Sequence, residues 1–169
     1  GVAVVDGVDG AEVSSAAQRL FGPLDDIVAF ASRFAAALRA AEQSGDWRGC
    51  FEAHELELVR CYGCYVASYT VAWDDLAALR AKSKTVEAFL KCCELQPANT
   101  RRLTLASLAI LPVQRAPRYV LLLSELRRRL GEQSGVCCRG WSGNDASALA
   151  AAEACARRVA TAVNDHALP

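Results

Sequence analysis

The run LASLAILPVQRAPRYVLLLSEL, from Leu105 to Leu126, constrains the fold most, because it joins an apolar repeat at helical spacing to two prolines. Tyr119, Leu122, Leu123, Leu126 and Leu130 recur at steps of three and four, the spacing that aligns side chains on one helical face. That face is expected to bury against a bundle. Pro112 and Pro117 each lack a backbone donor and crowd the carbonyl one turn back, so the segment should bend or restart near them. Gln114, Arg118, Leu121, Glu125 and Arg128 fall on the opposite face. Leu121 is out of place there, and calls for cover by another helix or by a partner.

The rest of the chain reads as helix too. Alanine dominates, aromatics make up only 7% and period-two runs of β-branched residues are scarce, so the expected fold class is all-α, an elongated helical bundle with no sheet. The 169 residues, 53% of them hydrophobic, suit one domain with a real core. Residues 1–13 read as a loose lead-in and 14–169 as the domain. A short helix is expected from Ser14 or Ser15 to Phe21, and Gly22-Pro23 then opens a helix carrying Leu24, Ile27, Val28, Phe30, Phe34 and Leu38. Asp25 and Asp26 favour that start electrostatically. After a break at Gly45-Asp46, helical pieces are expected from Trp47 through Tyr62, from Tyr69 to Ala81 and from Thr85 to Cys93. A turn at Gln96 to Asn99 leads into the proline-bearing segment. Gly131 to Gly143 reads as a loop, and Ser142 or Asn144 could cap a last helix bearing Leu149, Ala156, Val159 and Val163.

Several function classes are disfavoured. The stretch from Leu103 to Leu111 is interrupted by Thr104 and Ser107 and is too short to cross a bilayer, and no charged-then-apolar leader opens the chain, so a cytoplasmic location is expected. The absence of Met suggests an excerpt or processed piece of a longer product. The eight cysteines are expected as free thiols, since a chain this long and apolar needs no staples. Cys61 and Cys64 form a C-x-x-C without a second pair, and His54 and His166 stand alone, so neither a metal site nor a cofactor is expected. Phosphate-loop, nucleophile-elbow and zinc-protease motifs are missing. Arg101, Arg102, Arg115, Arg118 and Arg127 to Arg129 oppose only Glu125. Without interleaved aromatics or a zinc module, and with net charge +0, this stripe reads as a solvated face and not a nucleic-acid surface.

The run PVQRAPRYVLLLSEL, Pro112 to Leu126, closely resembles the signature of the Dbl-homology (DH) domain, the exchange domain of Rho-family guanine nucleotide exchange factors. Tyr62, Tyr65 and Tyr69 resemble the tyrosine-rich middle region of that family more weakly, and Val163-Asn164-Asp165 resembles its hydrophobic-Asn-acidic ending. The likeness runs from about Phe21 to Asp165. No first conserved region is visible, and Glu12 is a poor substitute for its acidic residue. The resemblance implies a DH-type bundle that regulates a Rho-family small GTPase without covalent chemistry, promoting GDP release by displacing the switch segments and the Mg²⁺ site. It implies GTPase-binding positions at Ser107, Leu111, Gln114 and Arg115 on the signature segment, and at Arg157 and Thr161 on the last helix. Membrane contact would come only from domains outside this chain, such as the pleckstrin-homology domain that commonly follows. Two positions depart from the family: Leu111 stands where most members carry Lys, and Arg157 where many carry Asn or Asp. Arg157 is therefore expected to supply the charge lost at Leu111. A second reading is a degenerate DH-like scaffold or dimerisation module without exchange activity.

Overall fold

In the computed structural model, which describes residues 4–5, 8–96, 103–132 and 143–166, seven helices follow a two-stranded ribbon. The strands are β1 (Val4–Val5) and β2 (Val8–Asp9), paired antiparallel. The helices are α1 (Gly10–Phe21), α2 (Leu24–Ser44), α3 (Trp47–Lys82), α4 (Lys84–Glu94), α5 (Leu105–Ala109), α6 (Leu111–Glu132) and α7 (Gly143–Asp165). Among the described residues the regular structure is all-α apart from that ribbon. The turn residues 97–99, residues 133–142 of the expected loop, with Cys137 and Cys138, and the side chains of Ser142 and Asn144 lie outside the described residues.

Local chemistry sets the helix ends. The Asp9 carboxylate accepts from the Ala11 amide at 3.0 Å, so α1 begins at Gly10, ahead of the expected Ser14. Pro23 immediately precedes α2, and Asp25 and Asp26 occupy its first turn. Gly45 closes α2 in the left-handed region, φ 79°, with its amide donating to the Ala41 carbonyl at 2.8 Å. The Asp46 carboxylate then accepts from the Gly49 amide at 2.9 Å and starts α3. At the far end Ser83 serves two helices. Its amide donates to the Leu79 carbonyl at 2.9 Å, and its buried hydroxyl accepts from the Val86 amide at 3.3 Å.

Helix α3 is the spine. Its 36 residues, about 54 Å long, run unbroken where two pieces were expected. The reason is that α3 changes partners along its length: it packs on α2, α6 and α7 early and on α1 later, so no single apolar stripe persists. Gly63 is buried at a close approach, since a Cβ there would lie 2.6 Å from the His166 ring.

The main core lies between α2, α3, α6 and α7. Phe34 meets Phe51 at 5.3 Å and Tyr119 at 5.5 Å between ring centroids, both edge-on, and His54 packs beside it while its Nδ1 lies 2.7 Å from the Cys50 carbonyl. From α7, Leu149, Ala152, Cys155, Ala156, Val159 and Val163 are buried, and the small residues let its backbone lie close to α3. On α6, Tyr119 and Leu123 are buried and Leu126 and Leu130 pack partly against them. Leu122 departs from expectation: it is 57% exposed. The seam is narrower than the sequence repeat suggested, and Leu122 lies just outside it on the solvent side.

The proline-bearing segment restarts at Leu111, upstream of both prolines. Pro112 takes the second position of α6, where a missing amide costs nothing, and Pro117 rides inside the helix, depriving the Val113 carbonyl of its usual donor. Among the described residues no helix is long and apolar enough to cross a membrane. Cys50, Cys61, Cys64, Cys92, Cys93 and Cys155 are free, and no group of three or more metal-ligating side chains is found among the described residues.

Candidate functional site

The junction of α5 and α6 is fixed from three sides. The Tyr65 hydroxyl, its pKa pushed up to about 12 by burial, donates to the Ala109 carbonyl at 2.8 Å and ties the end of α5 to α3. Glu94, at the end of α4, accepts from the Leu105 amide at 2.8 Å and anchors the start of α5. Thr104 caps α5 by accepting from the Ser107 amide at 3.2 Å, and the two hydroxyls lie 2.9 Å apart. Ser107 is therefore exposed but tied into a cap. Leu111 follows as the first residue of α6 and is 43% exposed.

From there α6 presents a strip of mixed polarity. Gln114, Pro117, Leu121 and Ser124 follow one another at steps of three and four, and Ser124 marks the edge that meets α7, because its hydroxyl donates to Glu153 at 2.7 Å. Gln114 is exposed, as is Leu121 at 68%. Nothing among the described residues covers Leu121. Arg118 is also exposed and makes no ion pair among the described residues. Arg115 is engaged within α6: its guanidinium lies 4.9 Å over the Tyr119 ring and its Nε donates to the Tyr119 hydroxyl at 3.0 Å. Partial burial lowers its pKa, but hydrogen bonding and charge interaction with the Tyr119 and Tyr62 hydroxyls outweigh that, so the net shift is upward.

Arg157 and Thr161 lie one turn apart on the exposed side of α7. Arg157 donates at 2.6 Å to Glu153 Oε1, the atom that Ser124 also reaches. This corrects the expectation that Arg157 replaces a charge lost at Leu111. Its guanidinium sits level with Ser124, roughly 20 Å along α6 from Leu111 by the helical rise, and is committed to a carboxylate. Arg127 pairs with the other oxygen of Glu153 at 3.0 Å. Hydrogen bonds from Arg157 and then Ser124 hold the Glu153 carboxyl below its ordinary value.

Other polar groups are occupied elsewhere. Arg158 makes a forked pair with Glu55 of α3 at 2.8 and 2.7 Å, locking α7 to the spine, and Cys155 beside it is pushed by burial up to about 12, an unreactive thiol. Glu12 lines a cleft of about 420 Å³ between α1 and α3, where Lys82 lies 3.9 Å from it and Arg19 pairs with Asp75. It is far down the spine from the α6 signature strip.

The family model for the RhoGEF domain matches residues 11–164. The chain belongs to the RhoGEF domain family. Its fold is similar to crystal structures of p115-RhoGEF: the linker-DH/PH domains (TM-score 0.71, 21% identity, 89% of this chain and 44% of that chain) and a mutant of the DH/PH domains (TM-score 0.72, 21% identity, 89% and 43%). A third, of N-terminally truncated linker-DH/PH domains, aligns equally well (TM-score 0.71, 21% identity, 89% and 44%). The chain spans less than half the length of these solved structures. No curated protein matched the chain in sequence. RhoGEF domains as a family bind Rho-family GTPases and regulate them by promoting nucleotide exchange.

Within this RhoGEF chain the structure ties Arg157 into the α6–α7 seam through Glu153 and Ser124, ties Ser107 into the α5 cap and Arg115 to Tyr119, and leaves Gln114, Leu111 and Thr161 exposed. Sequence reasoning missed Glu153 and Ser124, and it read Arg127 only as part of a solvated stripe and Tyr65 only as part of the tyrosine-rich resemblance. For Glu153 one signal was available beforehand, its spacing of four from Arg157 in an otherwise alanine-rich helix. The partners from α6 depend on the packing of α6 on α7.

Proposed function

We propose that this chain promotes GDP release from a Rho-family small GTPase, using the exposed α6 strip and the adjoining face of α7 as its docking surface. The observation that carries the reading is the placement of the signature residues: Gln114, Arg118 and Leu121 stand uncovered on α6 while Tyr119 and Leu123 of the same helix hold the core. The helix thereby separates a packing face from a presenting face. An uncovered apolar side chain beside an exposed arginine suits a protein-docking surface, and Ser107, Leu111 and Thr161 would extend it at its ends. Arg115 supports it from behind by holding Tyr119.

Exchange by such a surface is linkage. A domain that binds the nucleotide-free GTPase more tightly than the loaded form lowers nucleotide affinity by the same factor, about tenfold for each 1.4 kcal/mol of coupling. Displacement of the switch segments and of the Mg²⁺ site would be the physical route to that coupling.

The test is release of fluorescent GDP from a panel of Rho-, Rac- and Cdc42-type GTPases. Acceleration on one member is the expected result and names the partner. A folded, helical chain that accelerates none and does not prefer nucleotide-free GTPase overturns the reading in favour of a scaffold.

A further inference from the structure

We propose that Glu153 is a positioning residue which holds Arg127 and Arg157 as a paired cationic clamp for a carboxylate-bearing segment of the GTPase. The proposal rests on the reading of the α6–α7 face as the docking surface.

Glu153 is the one charged residue classed as buried among the described residues, 5% exposed. A buried carboxylate is costly unless paired, and apolar residues can often replace a buried ion pair with no loss of stability. One carboxylate gathers groups from two helices: Ser124 at 2.7 Å and Arg127 at 3.0 Å from α6, and Arg157 at 2.6 Å from α7. Both arginines remain open to solvent, with side chains 50% and 62% exposed.

That arrangement leaves donors to spare. A guanidinium carries five N–H groups in a planar fork, and in each arginine the contact to Glu153 engages one nitrogen. Two positive charges against one negative leave the site cationic. Arg118 and the exposed Leu121 lie on the same strip. Charge complementarity then specifies an acidic segment with an apolar neighbour as the occupant. Fixing the two forks before encounter removes part of the rotamer entropy that long cationic side chains otherwise lose on binding.

Positioning and simple attraction predict opposite signs for one variant. Glu153→Gln makes the ridge more positive, so attraction alone would speed exchange. If Glu153 acts by holding the forks, the same variant should slow the second-order rate of GDP release about threefold at low salt. The triple variant Glu153→Gln, Arg127→Gln, Arg157→Gln leaves no buried unpaired charge and is therefore expected to fold. It should lose about tenfold at low salt and show a flatter salt dependence than the parent. Helical circular dichroism and the melting temperature of each variant report folding separately.

Unchanged or faster exchange with Glu153→Gln, or parental exchange by the folded triple variant, overturns the proposal while leaving the exchange reading intact. Loss of binding to phosphatidylserine vesicles by the triple variant, with GTPase exchange unaffected, would mean the forks serve a lipid headgroup and also overturns it. Failure of the parent chain to accelerate any GTPase overturns the underlying reading, and the proposal with it.

Discussion

The two ends of α3 are held by different chemistry. Its first half sits in a cluster of large rings, where Phe30, Phe34, Phe51, Tyr62 and Tyr119 are buried together with α7 side chains. Its second half is covered by small clusters only: Leu20, Ala72 and Ala109 in one, and Ala16 with Leu79 in another. Helix α4 buries no residue at all, and Phe89 on it is 64% exposed. Since burial of apolar area is the main favourable term in folding, cohesion is concentrated where α6 and α7 lie. The presenting strip is thus backed by the rigid half, whereas α1, α4 and the end of α3 form a lightly held arm kept in place by caps and exposed ion pairs.

The largest expected effect breaks that asymmetry directly. Phe34→Ala removes a ring that touches Phe51, Tyr119 and His54, and should destabilise the chain by about 3–5 kcal/mol. Leu79→Ala, in the small cluster of the arm, should cost about 2–3 kcal/mol and raise amide exchange in α1 and α4 while α6 and α7 stay protected. Urea denaturation and hydrogen exchange check both. Equal, global losses from the two variants would show that the halves fold as one unit.

The same asymmetry explains what the sequence made legible. The α6 pattern could be read in advance because one helix face served one core, as could α2 with Phe30 and Phe34. Helix α3 could not be read as a single piece, because its buried side rotates as its partners change and no local repeat records a change of partner. Leu122 was misplaced for a related reason: spacing gives the centre of an apolar face, and only the neighbouring helices decide its width. At the candidate site, Gln114, Arg157 and Thr161 could be named from the family resemblance. The carboxylate joining Arg157 to α6 depends on a contact between residues 29 positions apart, which no local pattern encodes.

A smaller effect should sharpen the boundary between the halves. Tyr65→Phe deletes only the hydroxyl that donates to the Ala109 carbonyl, leaving the ring in the core. The expected loss is about 1 kcal/mol for a buried neutral hydrogen bond, with faster amide exchange confined to α5 and the first turn of α6. Exchange on the responsive GTPase should fall modestly if Leu111 and Ser107 must be held in place for docking. Unaltered protection in α5 would show that the Thr104 cap and Glu94 suffice to hold the junction.

The smallest effect is expected from acid, and it isolates the seam between α6 and α7. The Glu153 carboxyl is held below its ordinary value of 4.5 when folded, so the unfolded chain binds its proton more readily. Its contribution to stability is then fully present above about pH 4.5 and is lost as pH falls through the lower folded value. Glu55, Glu87 and Glu125 are shifted the same way by Arg158, Arg80 and Arg128, so the parent alone will lose stability in acid from several sites at once. Those three carboxylates are untouched in Glu153→Gln, and their share cancels when the two proteins are compared. The stability gap between parent and variant should be widest near neutral pH and should narrow steadily below pH 4.5, as urea midpoints across that range would register. A gap that keeps the same size from pH 7 down to pH 3 would mean that Glu153 acts in the seam through its shape and not its charge. The asymmetry between the presenting half and the lightly held arm would then rest on apolar packing alone.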